Sequence, residues 1–232
     1  MKILLFLNQD IHAKKAFEIL QSHLQKHEVQ LVLSSQVGKT QNLSSKLIQL
    51  KSIEQEGVQS FFDALKLPIL QYQNINSEEA LKDFKEFAPN LAISIRFGQI
   101  FKQEFINLPK FGVLNLHSGI LPHYRGVMAS FWAILNGEKN LGTTLHYIQN
   151  EGIDNGDIID FSHSEIDWNE NFISNVNNLY KGGCKLIIEA LDQIEKDEKI
   201  AITKQQSLGE GNYFSYPKEE DLEKFAKLMR LF

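Results

Sequence analysis

The sequence predicts an α/β protein: a Rossmann-like, mostly parallel sheet with helices on both faces, followed by a short C-terminal extension. Two observations predict it. Apolar runs such as KILLFLN (2–8), LAISIRFG (91–98) and FGVLNLH (111–117) lack the in–out alternation of a strand with one wet face, so each is expected to be covered on both sides. Stretches of helical period lie between these runs, the alternation that a parallel sheet with crossover helices requires.

Each element follows in order. The first strand holds only five consecutive apolar residues, Ile3 to Leu7, before Asn8 and Asp10, too few for a signal sequence or a membrane span. Residues 12–27 form an amphipathic helix with Ala16, Ile19, Leu20 and Leu24 on one side. EVQLVLSS (28–35) is a second strand, the stretch 43–67 contains a helix, and LPILQY (67–72) is a short strand. Asn76 followed by Glu79 has the N-x-x-E form of a capping box that opens a helix over 78–88. After the strands at 91–98 and 111–117, residues 127–137 are a helix closed by Gly137. GTTLHYIQ (142–149) alternates as a half-exposed strand whose partner is GDIIDFSHSEID (156–167). Residues 171–196 are helical in period on either side of Gly182 and Gly183. The tail carries two tyrosines, a proline and a short helix. No repeat or Pro/Ser-rich linker divides the 232 residues, which are expected to be a catalytic unit over 1–200 with an extension over 201–232.

Composition narrows the function. An apolar fraction of 43% and a charged fraction of 23% are ordinary for a soluble globular protein. The single cysteine, Cys184, excludes an intrachain disulfide and points to a reducing, cytoplasmic setting. No CxxC or HExxH motif is present, so no metal is expected. A net charge of −5 argues against a nucleic-acid partner, though a small phosphorylated ligand in a locally basic pocket remains compatible with it. The loop after the first strand, NQDIHAKK, has no glycine and is not a diphosphate cradle.

Chemistry concentrates in NLHSGILPHYRG (115–126). On a strand ending at His117, Asn115 and His117 face the same way. Two such groups suit a reaction in which an oxygen becomes negative while a proton moves: an amide donates to an oxyanion, and an imidazole gives or takes a proton. The plainer reading is a satisfied Asn–His pair in the core. EGIDNGDI (151–158) reads as a turn, and Asp154 on it is a carboxylate within reach of the same strand end, where it would orient the imidazole.

Together, NLHSGILPHYRG, FWAILNGE (131–138) and LGTTLHYIQNEGIDNGDII (141–159) resemble the 10-formyltetrahydrofolate-dependent formyltransferase family. The resemblance implies a catalytic triad of Asn115, His117 and Asp154. It implies direct transfer of a formyl group from the folate to an amine through a tetrahedral intermediate, without a metal. IRFGQIF (95–101) matches the family's pterin-contacting stretch, which makes Arg96, Phe97, Gly98 and Ile100 candidates for binding 10-formyltetrahydrofolate, with backbone groups near Gly152 and Asp157. Phe97 and Ile100 are equally accounted for by core packing. The chain departs from the family's His-Pro-Ser at His117-Ser118-Gly119, which bears on the acceptor rather than on the chemistry.

Three acceptors occur in the family. Methionyl-tRNA formylation fits poorly with the negative charge and with the thirty or so residues after the last long helix. Glycinamide ribonucleotide formylation fits poorly with NQDIHAKK, where that branch has a Gly/Ser-rich phosphate loop. The chain is most similar to the nucleotide-linked amino-sugar N-formyltransferases, whose products serve O-antigen and related surface polysaccharides. On that reading Tyr213, Tyr216 or Phe214 stacks on a nucleobase or sugar, or plugs the sheet edge. Arg125 binds a phosphate or carboxylate, or braces its own turn. A homodimer is among the assemblies the resemblance allows. From other classes, a formyltetrahydrofolate hydrolase and a non-catalytic folate-binding protein remain.

Overall fold

The computed structural model describes residues 1–35, 43–196 and 199–232. Along the chain run β1 (Lys2–Asn8), α1 (Ile11–Leu24), β2 (Glu28–Ser34), α2 (Ser45–Gln55), α3 (Val58–Asp63) and β3 (Ile69–Gln71). Next come α4 (Glu78–Phe87), β4 (Leu91–Ile95), α5 (Gln103–Ile106), β5 (Val113–His117), β6 (Arg125–Gly126), α6 (Ala129–Leu135) and β7 (Asn140–Ile148). The remainder is β8 (Ile158–Glu165), α7 (Phe172–Glu195), a 3-10 turn over Gln205–Leu208, β9 (Tyr213–Phe214) and α8 (Glu219–Phe225).

Among the described residues, seven strands form one sheet in the order β3-β2-β1-β4-β5-β7-β8. The pairings from β3 to β5 are parallel; β7 and β8 are antiparallel additions at one edge. This is the mostly parallel α/β architecture that the unalternating apolar runs predict. In β1 the reason is direct. Ile3, Leu5 and Leu7 enter the core shared with α1 and α7, while Leu4 and Phe6 enter a second core with Phe84 of α4 and Phe105 of α5. A strand packed by helices on both sides has no wet face for polar residues to occupy.

The local differences from the sequence reading have physical causes. The helix at 78 is capped by Ser77, whose hydroxyl accepts from Ala80 N. The Asn76 amide instead donates to Ile100 O and accepts from Lys102 N, tying down the loop after β4. The stretch 43–67 holds two helices, broken at Gly57 with φ 69°. Strand β7 is buried on both faces for most of its length, not half-exposed, because α7 covers one side and the turn after β5 the other. Gly182 and Gly183 do not interrupt α7. A Cβ on Gly183 would stand 2.9 Å from Leu116 Cδ2 and from Thr143 Oγ1, so the glycine lets the helix settle against β5 and β7. Among the described residues no helix is long and apolar enough to cross a membrane.

Leu116 lies between Asn115 and His117, so this packing supports the strand that carries them. Gly183→Val is expected to overpack the contact and lower stability by about 1–3 kcal/mol. The midpoint of urea unfolding reads this; an unchanged midpoint would mean that the helix stands off the sheet.

Candidate active site

In an open parallel sheet, ligands bind beyond the carboxyl ends of the strands where the strand order reverses. Here the reversal falls between β1 and β4, and β5 is the next strand along. Along β5, Leu114 and Leu116 face the α7 side, while Val113, Asn115 and His117 face the side of α4 and α5. The antiparallel register sets Asn115 opposite His146 and His117 opposite Thr144. Four polar side chains therefore emerge together on a face that, nearer β1, is packed with phenylalanines.

Three of the four converge on one carboxylate. The loop between β7 and β8 folds back over this face and delivers Asp154, held at a left-handed φ of 50°. Asp154 Oδ2 accepts from Gly126 N at 2.9 Å and lies 3.5 Å from His117 Nδ1. Asp154 Oδ1 lies 3.5 Å from Asn115 Nδ2 and 3.6 Å from His146 Nε2. Burial alone would raise this carboxyl; the charges of His117 and His146, the His146 hydrogen bond and the Gly126 amide outweigh it and hold it down to about 2.

The hydrogen bonds assign the imidazole protons. His117 Nε2 faces a backbone carbonyl, Tyr124 O, at 2.6 Å, so that nitrogen must donate. His146 Nδ1 likewise donates to Tyr147 O at 3.0 Å, and its Nε2 accepts from the Asn115 amide at 3.0 Å. Each ring spends one N–H on a carbonyl and turns its other nitrogen toward Asp154. When one of those nitrogens takes up a proton it becomes a donor to the carboxylate, and this charged form is the one that holds Asp154 down. The sequence assigns His146 no role, although it stands in the stretch LGTTLHYIQNEGIDNGDII; only the register with Asn115 reveals its place.

The turn after β5 encloses the cluster. Thr144 Oγ1 donates to Gly119 O and accepts from Leu121 N, and the Leu121–Pro122 peptide is cis. A Cβ on Gly119 would come within 2.8 Å of His117 Nε2 and 2.9 Å of Tyr124 O. The departure from His-Pro-Ser therefore accommodates a turn wound tightly around the His117 ring.

A cavity opens beside this turn, lined by Asn8, Lys51, Ser118, Met128, Ser130 and Tyr216 among others. Its floor is a charge network at the switch point. Asp10 caps α1, accepting from His12 N and Ala13 N, and receives Arg96 Nε at 2.8 Å; Glu54 of α2 receives Arg96 Nη2 at 3.2 Å. Burial would lower the Arg96 pKa, but Asp10 and Glu54 push it well above its ordinary value. Burial would raise Asp10, and Arg96 chiefly holds it below the usual carboxylate range. The Lys51 ammonium stands 4.8 Å from the centre of the Tyr216 ring.

The other expected binding residues are spread over two loops and the tail. Arg96 is spent on Asp10 and Glu54. Phe97 packs on Phe6 and Phe101, and Gly98 N donates to Ser34 Oγ. Ile100 is 54% exposed. Gly152 N donates to Asn150 Oδ1, while Asp157 accepts from Gln149 and pairs with Lys204 at 2.6 Å. Arg125 braces its turn: Nε donates to Gln205 Oε1 at 2.8 Å, and its strand pairs with Tyr213 of β9. Tyr213 is largely exposed, whereas Tyr216 forms part of the cavity wall. Among the described residues no group of three or more His, Cys, Asp or Glu is arranged to hold a metal ion.

The formyl transferase family matches residues 1–191. Methionyl-tRNA formyltransferase of Thermodesulfovibrio yellowstonii is 34% identical over 155 residues, covering 67% of this chain and 49% of that protein. The chain thus spans about half the length of such curated relatives. Among solved structures, a 4-N formyltransferase from Francisella tularensis superposes with a TM-score of 0.64 at 19% identity, covering 97% of this chain and 86% of that one. An N-formyltransferase from Helicobacter canadensis, in complex with folinic acid and dTDP-3-aminofucose, gives 0.63 at 24% identity, covering 95% and 72%.

Because the Asp154 pKa is depressed on folding, its contribution to stability is present above about pH 4 and is lost as pH falls toward 2. Asp154→Asn is expected to cost about 2 kcal/mol near pH 6 and to lose less on acidification than the wild type. Urea unfolding at pH 6 and pH 3 checks this; equal acid sensitivity in the two proteins would contradict it.

Proposed function

The chain belongs to the formyl transferase family, and we propose that it moves a formyl group from 10-formyltetrahydrofolate to the amine of a nucleotide-linked amino sugar. The observation that carries the transfer chemistry is the convergence of Asn115, His117 and Asp154 at the end of β5.

The two loops flanking that face fit a folate. A pterin needs apolar cover for its ring and backbone groups for its edge. The loop after β4 leaves Ile100 54% exposed, and the loop bearing Asp154 leaves Ile153 43% exposed. Residues 96–100, with the backbone near Gly152 and Asp157, would hold it. When bound, it supplies a formyl carbon attached to a nitrogen that can leave.

The chain's own residues then do the following. Of the two Asn115 Nδ2 contacts, the one to Asp154 is the longer, so that N–H is the one released to the oxygen that becomes negative as the amine adds. His117 and Asp154 take the proton that the amine gives up as its nitrogen bonds to carbon. They hold it for the nitrogen from which the carbon departs. Burial of the cluster excludes the water that would otherwise hydrolyse the donor.

For the acceptor, two features support an amino sugar on a nucleotide. Asp10 already fills the N-terminus of α1, so a phosphate brought there, as glycinamide ribonucleotide would require, meets a carboxylate. The cavity beside Ser118 is walled by the Lys51 ammonium and the Tyr216 ring, a cation and an aromatic face suited to a nucleotide. A second reading, a methionyl-tRNA acceptor, is favoured by the identity to that relative. On either reading the catalytic unit is residues 1–200.

An absorbance assay of tetrahydrofolate release, run with nucleotide-linked 3-amino and 4-amino sugars, glycinamide ribonucleotide, charged initiator tRNA and no acceptor, tests the proposal. Turnover only with an amino sugar is expected. Turnover only with tRNA would replace the acceptor, and turnover without any acceptor would make the protein a hydrolase. His117→Ala is expected to lower kcat by a factor of about 10² or more; a near-normal rate would remove its assigned role.

A further inference from the structure

Residues 203–214 cross from the loop that carries Asp154 to the turn that receives it. Thr203 and Ile158 exchange both backbone hydrogen bonds, at 2.8 and 2.9 Å. Lys204 pairs with Asp157. Gln205, only 1% exposed, then reaches both sides at once: its Nε2 donates to Gly156 O at 3.0 Å, and its Oε1 accepts from Arg125 Nε at 2.8 Å. Farther on, Arg125 N donates to Asn212 O and Val127 N to Phe214 O, both at 3.0 Å. In an extended segment alternate N–H groups point opposite ways. With those of 125 and 127 turned to the strap, that of Gly126 is turned to Asp154 Oδ2.

We propose that this segment is a strap that positions Asp154, with Gln205 as the positioning residue that locks the Asp154 loop to the Arg125–Val127 turn. Gln205 touches neither Asp154 nor His117. It acts through the two backbones whose separation fixes the Gly126 N–H···Asp154 contact, and through that contact the place of the carboxylate against His117 and Asn115. Nothing local in the sequence marks the residue. It lies in an irregular tail, and its partners are 49 and 80 positions away. A buried glutamine with both ends of its amide satisfied is a strong constraint, because either bond, once lost, leaves a polar atom unpaired out of water.

The kinetic side of this proposal rests on the formyl-transfer reading; the positional side does not. The test therefore pairs two measurements on the full chain, the exchange rate of the Gly126 amide with solvent deuterium and kcat for tetrahydrofolate release. Gln205→Glu keeps an oxygen for Arg125 and loses the donor to Gly156, so it separates the lock from simple loss of packing. Gln205→Ala removes both bonds. In Gln205→Glu, the charge-assisted bond to Arg125 offsets part of the lost Gly156 bond, so the chain is expected to stay folded, with Gly126 exchange accelerated by about tenfold or more. Its kcat is expected to fall by a factor of about 10–10² at little-changed KM, as for a misplaced catalytic group. Gln205→Ala is expected to show the same at larger size. Wild-type Gly126 protection in a folded Gln205→Glu protein would overturn the strap. Accelerated exchange with unchanged kcat would overturn its catalytic consequence. If the wild type turns over no acceptor, the functional reading fails, and the exchange measurement alone still decides the positional claim.

Discussion

One buried carboxylate organises the site. Asp154 must remain ionised out of water, and it does so because an amide N–H and a carboxamide donate to it and two imidazoles pair with it when protonated. A lone buried charge would cost several kcal/mol and would neutralise itself; paired and hydrogen-bonded, it becomes the point to which the neighbouring groups are referred. Its left-handed backbone is a local strain that the surrounding hydrogen bonds hold in place.

The scaffold explains why these groups meet. Parallel pairing brings the carboxyl ends of β1, β4 and β5 side by side, and the period of two sends Asn115 and His117 to the face that helices α4 and α5 leave uncovered. The antiparallel β7 supplies His146 and Thr144 opposite them, the first to hold Asn115 and the second to fix the turn. Beyond the strand ends, the Asp10–Arg96–Glu54 network closes the switch point with the chain's own charges. The Asp154 cluster therefore sits on the sheet face, and the cavity lies beside it over the switch point.

The strands were legible because burial on both faces leaves an unbroken apolar run, and Asn115 and His117 were legible because a spacing of two on a strand fixes their common direction. What failed was whatever depended on distant partners. Asn76 looked like a cap but is drawn to the loop at 100–102, leaving the cap to its neighbour Ser77. Gly182 and Gly183 divide the helical period, yet α7 runs through both because Gly183 faces Leu116 of β5 and Gly182 faces Ser162 of β8. Arg96 lies in the stretch that resembles a pterin-contacting one, and what the sequence does not show is that its guanidinium pairs with Asp10 and Glu54. His146 lies in a stretch that carries the family resemblance, but its partner depends on register; Gln205 has no local signal, because its place depends on a tail returning to the Asp154 loop.

In their neutral forms both imidazoles spend their one proton on a backbone carbonyl and turn the other nitrogen toward Asp154, so a second proton taken up there is held by the carboxylate. Long-range proton–nitrogen NMR on protein with labelled histidine reads the tautomers directly. Neutral His117 is expected to carry its proton on Nε2 and neutral His146 on Nδ1. A neutral His117 protonated on Nδ1 would mean that the ring already donates to Asp154, and it would contradict the account.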